Sequence, residues 1–319
     1  MQYVATIGFF DGVHRGHKYL LDRLKAEATS RGMRSAAVTF DVHPETVLHH
    51  REKRLLSTLD ERLSLLKSTG VDEIMVYPFE DIQDLTADAF MEVLHARGVQ
   101  VLLMGYDHRF GRRRRVAGDS NATELGCTDA GTAATAAAVE IVKVQELAGE
   151  HVSSSAIRKA LVMGEIEKAN EMLGYSYSLT GEVVHGNGIG QSIGFPTANI
   201  ALPANKLLPA EGVYAAAVAA GASPVTAWAV AEASVQPIDE FRSVADTGVT
   251  PAVVNIGKNP TVGGKTMTVE VHIVGYSGNL YGQTLTIKLL HRLRGEQKFN
   301  SLEELRTQIQ QDILRIDNN

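Results

Sequence analysis

Apolar positions in the first half of the chain switch repeatedly between two periods. Short runs of β-branched and other apolar residues at 3–7, 35–40, 73–77, 100–104 and 139–144 predict strands. Between them, apolar residues recur at helical spacing. Tyr19, Leu20, Leu24 and Ala28 precede Gly32, Leu63 and Leu66 follow the capping box Thr58-Leu59-Asp60-Glu61, and Phe90, Val93 and Leu94 lie in a helix predicted from Thr86 to Gly98. Strands alternating with helices predict an α/β domain built on a parallel sheet. Ile157, Leu161, Ala169 and Met172 predict one last helical stretch over 153–173, with Gly174 as its terminator and the domain boundary.

Beyond residue 175 the pattern shortens. Strands are predicted at 179–184, 213–218, 252–256, 267–274 and 285–289, punctuated by Gly, Asn and Pro, as in a small antiparallel β-barrel or sandwich. A closing helix opens on Ser301-Leu302-Glu303-Glu304, with Leu302, Leu305, Ile309 and Ile313 on one face. Residues 116–138 and 219–250 have weak periodicity and read as loops or insertions.

Length agrees with two domains, since 319 residues exceed what one core usually holds. Lys and Arg number 31 against 37 Asp and Glu, a net charge of −6, which argues against a general nucleic-acid binder. The single Cys127 allows no internal disulfide and no cysteine metal cluster, which fits a reducing cytoplasm. Neither a secretion signal nor a membrane association is expected: residues 215–235 are mostly Ala and are broken by Gly221, Ser223 and Pro224.

The most informative string is Gly8-Phe9-Phe10-Asp11-Gly12-Val13-His14-Arg15-Gly16-His17, between the first strand and first helix. A helix start at a parallel sheet's carboxyl edge offers free N–H groups to an anion, and two histidines beside Gly16 add donors for a polyphosphate. Thr39-Phe40-Asp41-Val42-His43-Pro44 and Gly105-Tyr106-Asp107-His108-Arg109-Phe110-Gly111 end the second and fourth strands, and Ser153-Ser154-Ser155-Ala156-Ile157-Arg158 starts a helix after the fifth. The first string resembles the signature of the nucleotidylyltransferase superfamily, and the set resembles the adenylyltransferase module of the prokaryotic bifunctional FAD synthetases. The resemblance implies a Rossmann-like fold, with Gly8, Phe10, Asp11, His14, Gly16, His17, Ser154, Ser155 and Arg158 at ATP, and Asp107 and Phe110 at the flavin. Arg112, Arg113, Arg114 and Arg115 read as a solvated face, with phosphate steering as the alternative.

The second anchor runs from Gly181 through Gly186, Gly188, Gly190 and Gly194 to Phe195-Pro196-Thr197-Ala198-Asn199. Close glycines can form a flap over phosphates, and Thr197 and Asn199, two apart in an extended chain, offer oxygen ligands on one side, as Mg²⁺ prefers. The string resembles riboflavin kinase. The likeness continues through Glu211-Gly212-Val213-Tyr214, Asn255-Ile256-Gly257, Val269-Glu270-Val271-His272, Leu280-Tyr281-Gly282 and Leu293-Arg294. It implies Glu270 as general base, Thr197 and Asn199 at Mg-ATP, Gly188 and Gly190 at the phosphates, and Arg294 at the flavin. Gln191 stands where that family often carries a basic residue, and His108 where it often carries an aromatic.

Taken together, the resemblance implies a cytoplasmic bifunctional enzyme with riboflavin, FMN and ATP as its small-molecule partners and Mg²⁺ as cofactor. Its adenylyltransferase would occupy residues 1–174 and its riboflavin kinase residues 175–319. A single-activity adenylyltransferase with a flavin-binding barrel, and a flavin sensor without turnover, are the rivals.

Overall fold

The structure is a computed structural model that describes residues 1–50, 52–105, 139–143, 152–186, 189–220, 250–258 and 267–317. Strands β1 (Tyr3–Ile7), β2 (Arg34–Phe40), β3 (Glu73–Tyr77), β4 (Val99–Met104) and β5 (Glu140–Lys143) form one sheet in the order β3-β2-β1-β4-β5. Every neighbouring pair is parallel. β1 is central and buried along its whole length, as expected of a strand covered on both faces. The crossovers carry α1 (Arg15–Ser30), α2 (Pro44–His49), α3 (Leu59–Ser68), α4 (Phe79–Ile82) and α5 (Ala87–Ala96). Local sequence explains two of these starts. Thr86 Oγ1 accepts from Ala89 N at 3.2 Å to cap α5. At α3, Glu61 N donates to Thr58 Oγ1 while Thr58 N donates to the Glu61 carboxylate, the reciprocal box read from the sequence.

Strands β6 (Ser178–Val184), β7 (Ala198–Ala201), β8 (Gly212–Ala220), β9 (Thr250–Lys258), β10 (Met267–Ile273) and β11 (Thr284–Arg294) close into a barrel in the order β10-β7-β6-β11-β8-β9. All its pairings are antiparallel. Alternate residues such as Val269, Val271 and Ile273 fill the interior, while Glu270 and His272 lie on the outer face.

Four helices complete the description: α6 (Ser154–Met163), α7 (Ile166–Leu173), α8 (Ile189–Ser192) and α9 (Leu302–Asp317). The single helix expected over 153–173 is thus two. Gly164 ends α6 at φ +76°, and the Arg292 guanidinium occupies the space that a Cβ there would need. Closing helix α9 lays Ile313 and Ile316 on Val213, Ala215 and Val253. Its first-turn Leu302, expected on that apolar face, is 58% exposed, and Asp312 is buried instead.

Contacts divide the chain into two compact units, Met1–Arg54 with Leu65–His151, and Leu55–Ser64 with Val152–Asn319. The second therefore includes a short segment from the first half of the sequence. Leu55 bridges to Lys206, and Leu56 joins Ile157, Leu161, Leu173, Tyr177 and Leu207 in the core beside the barrel. Lys206 Nζ donates to Glu61 Oε2 at 2.6 Å and to Leu56 O at 2.7 Å, and sits 4.7 Å from the Tyr177 ring centroid. Among the described residues no helix is long and apolar enough to cross a membrane.

Candidate active sites

In the parallel-sheet unit, strand order reverses between β1 and β4, which leaves a crevice beyond their carboxyl ends where such sheets bind ligands. The turn from β1 to α1 fills that position. Phe10 and Val13 adopt positive φ of 55° and 34°, and a β-branched residue there is a strained outlier of the kind found at functional turns. Gly8 is needed beneath this turn, since a Cβ would meet the Phe10 ring at 2.9 Å. The strain is held by Thr39 Oγ1 donating to Phe9 O and by Gly8 N donating to Val38 O. Asp11 and His14 are buried, His14 as the N-cap residue of α1.

His17 lies in the first turn of α1, with its ring stacked on that of His14 at 3.7 Å and meeting the edge of Phe10 at 5.2 Å. Gly16 lies between the two histidines, and the first turn of α1 carries no acidic residue to oppose an anion. Gly8, Phe10, Asp11, His14, Gly16 and His17 are therefore brought together. Ser154, Ser155 and Arg158 lie on α6, which packs in the second unit, where Ser153 Oγ caps the helix by accepting from Ala156 N. Asp107 and Phe110, with His108 and the arginine run, lie outside the described residues.

In the barrel, Glu270 on β10 faces Asn199 on β7 and Asn255 on β9. Directly opposed residues of an antiparallel pair share a face, with Cβ atoms about 4.5–5.5 Å apart. The putting together of a carboxylate and two carboxamides is thus set by register. Glu270 is half-buried, and burial pushes its carboxyl up from the usual carboxylate value. Asn199 also lines a cavity of about 450 Å³, whose walls include Gln191, Thr197, Ile273 and Tyr281. The Tyr281 ring stacks on His185 at 3.9 Å.

Two glycines of the flap have a packing reason, whereas Gly194 has open space around it and a positive φ of 86°. A Cβ on Gly186 would overlap the Asn199 carboxamide, and one on Gly190 would overlap the Phe195 carbonyl and crowd the Thr197 hydroxyl. Gly188 lies outside the described residues. Thr197 and Asn199 present neutral, hard oxygen atoms beside the cavity, a donor set that suits Mg²⁺ when substrate phosphates supply further ligands.

Arg294 stands apart from these residues. Register runs laterally from Arg294 to Val213, Asn255, Glu270 and Asn199, which puts three strand spacings, roughly 14 Å along the sheet, between Arg294 and Glu270. Its Nε and Nη2 donate to Asp312 on α9, and Nη1 donates to Gly295 O. Sequence reasoning passed over His272 as a functional residue, although its motif was quoted. Its Nδ1 lies 2.9 Å from Pro196 O, beside Thr197.

Two family models match the chain, FAD synthetase over residues 1–156 and riboflavin kinase over residues 173–319. Among curated proteins, the bifunctional riboflavin kinase/FMN adenylyltransferase of Listeria monocytogenes is 33% identical over 314 residues, covering 97% of this chain and 90% of the relative. The protein of the same description from Escherichia coli K12 is 34% identical over 319 residues, covering 98% and 90%. The one from Bacillus subtilis is 30% identical, covering 97% and 90%. A solved structure from Streptococcus pneumoniae, described as a macrolide-efflux protein, matches with a TM-score of 0.75 and 27% identity over 100% of this chain and 94% of that one. Both halves thus match in order and at nearly full length, and the chain belongs to the bifunctional riboflavin kinase/FMN adenylyltransferase family.

Proposed function

We propose that the family's two activities are divided between the halves of this chain, with FMN made from riboflavin by residues 175–319 and FAD made from FMN by residues 1–174. The observation that carries the kinase assignment is the placement of a half-buried Glu270 opposite Asn199, a residue that lines the cavity. ATP fills the cavity, its phosphates against Gly188, Gly190, Thr197 and Asn199. Glu270 takes the proton of the riboflavin 5′-hydroxyl as that oxygen attacks the γ-phosphorus, and ADP leaves. Its raised pKa makes it a better proton acceptor than a solvated carboxylate. Thr197 and Asn199 hold Mg²⁺, which when bound spreads the charge developing on the phosphates. Arg294 borders the flavin through its place on the outer face of the barrel.

In the other half, an FMN phosphate oxygen attacks the α-phosphorus of ATP in line, and pyrophosphate leaves. No proton need be removed, so positioning and charge stabilisation suffice. His14 and His17 donate to the phosphates at the N-terminus of α1, and Gly8, Phe10, Asp11 and Gly16 shape the turn that admits them. Asp107 and Phe110 meet the flavin. The cytoplasm, where ATP is available, is the site of action, and the single cysteine is compatible with it.

Chromatography of flavins formed from riboflavin, ATP and Mg²⁺ tests this division. The native chain yields FMN and then FAD. Glu270→Gln should lower FMN formation by about 10²- to 10⁴-fold and still convert added FMN to FAD, and His17→Ala should do the reverse. A folded variant that lost both activities would refute the two-site division.

A further inference from the structure

Pairing between β10 and β7 runs from Glu270 opposite Asn199 to Val271 opposite Ala198, and β7 begins at Ala198. Two residues further back, beyond Thr197, stands Pro196, which has no N–H to donate to a sheet. The chain carrying Thr197 therefore enters the site just where backbone pairing ends. His272 lies at this point, two residues beyond Glu270 and on the same outer face of β10. Its Nδ1 lies 2.9 Å from the Pro196 carbonyl oxygen, and its ring meets the edge of Phe195 at 5.4 Å. A carbonyl only accepts, so Nδ1 carries the proton and donates.

We propose that His272 is a positioning residue of the kinase, tying the Pro196 carbonyl to the strand of the base and so fixing Thr197 and Asn199 relative to Glu270. The side chain takes over from the ladder at the residue where proline interrupts it. Gly190 admits the Phe195 carbonyl and Gly186 admits the Asn199 side chain, so the segment from 195 to 199 is held on three sides: by α8, by the flap and by β10. Of these, His272 alone shares a strand with Glu270, which makes it the link between proton acceptor and phosphate-side ligands.

This inference rests on the reading of Thr197 and Asn199 as Mg-ATP residues, and the experiment separates the two. Steady-state kinase kinetics would be measured on the full chain for His272→Leu, His272→Asn and Thr197→Ala, varying Mg-ATP and riboflavin independently. His272→Leu removes the donor, and its KM for Mg-ATP should rise about fivefold, the worth of one ordinary hydrogen bond. The KM for riboflavin should change by less than about twofold. His272→Asn keeps an N–H donor near the Nδ1 position and should restore the Mg-ATP KM. An unchanged Mg-ATP KM in His272→Leu, an equal rise for both substrates, or loss of kinase that His272→Asn does not recover would overturn the positioning role. If Thr197→Ala leaves the Mg-ATP KM unaltered, the reading of Thr197 itself falls, whatever His272 does.

Discussion

Replacing Lys206 by Met removes a charge from the most enclosed ion pair described in the protein. The two side chains are 2% and 3% exposed, and the ammonium lies 2.6 Å from Glu61 Oε2 and 2.7 Å from Leu56 O. Methionine preserves most of the stem's volume, so the change isolates the charge. Glu61 would keep only the Thr58 N–H on that oxygen, while its Oε1 already has no hydrogen-bond partner among the described residues. Removing one partner of a buried pair typically costs about 3–5 kcal/mol, because the other charge is left without compensation. For a unit of roughly 150–250 residues, 1 kcal/mol corresponds to about 2–4 °C. The expected fall in the midpoint of thermal inactivation of the kinase is therefore about 6–20 °C. Activity is the better readout, because a chain of two units need not melt in one step. The double variant Lys206→Met with Glu61→Leu leaves no orphaned charge and should recover most of the loss, short of about 1 kcal/mol for the broken capping box. A shift below about 3 °C in the single variant, or a double variant no more stable than the single, would refute the reasoning.

Two further outcomes follow from the barrel site. The kinase requires Glu270 unprotonated, so its kcat/KM should fall as pH drops through that residue's pKa. Burial raises the pKa, so the decline should begin at higher pH than an ordinary glutamate would give, and a decline that set in only within or below the ordinary glutamate range would contradict it. Gly186→Ala drives a methyl group into the Asn199 carboxamide. A displacement of about 1 Å there should cost roughly 100-fold in kinase kcat/KM while FAD formation from added FMN is retained, and native-like kinase would mean that Asn199 has room to move.

Much of the framework was legible where local chemistry alone decides it. β1 is an uninterrupted apolar or β-branched run, β3 is apolar after its opening Glu73, both occur over the residues read as strands, and Thr58 with Glu61 forms the box that their spacing predicts. Legibility ended where a distant partner decides. Gly164 looks no different in sequence from a glycine tolerated within a helix, and the split between α6 and α7 coincides with the arrival of Arg292 from β11. Strand β7 is only four residues long and includes two alanines, so it showed no strand pattern; its neighbours β6 and β10 define it. The same holds for the sites. The two-residue spacing of Thr197 and Asn199 put them on one side of an extended chain, whereas the pairing of Asn199 with Glu270 depends on register between segments about 70 residues apart. Arg294 was legible as a motif member, but its bond to Asp312 became visible only with α9 in place.

The buried pair of Glu61 and Lys206 also has a temporal meaning. The residues are 145 positions apart, so on a ribosome adding about 5–20 residues per second, Glu61 is synthesised some 7–30 s before its cation exists. Throughout that interval the segment Leu55–Ser64 has no barrel to join, although the strands and helices on either side of it already belong to a sheet that can form. The nascent chain must therefore hold a charged, partly apolar stretch in water while the sheet around it assembles, and only the later half of the polypeptide gives that stretch its final surroundings.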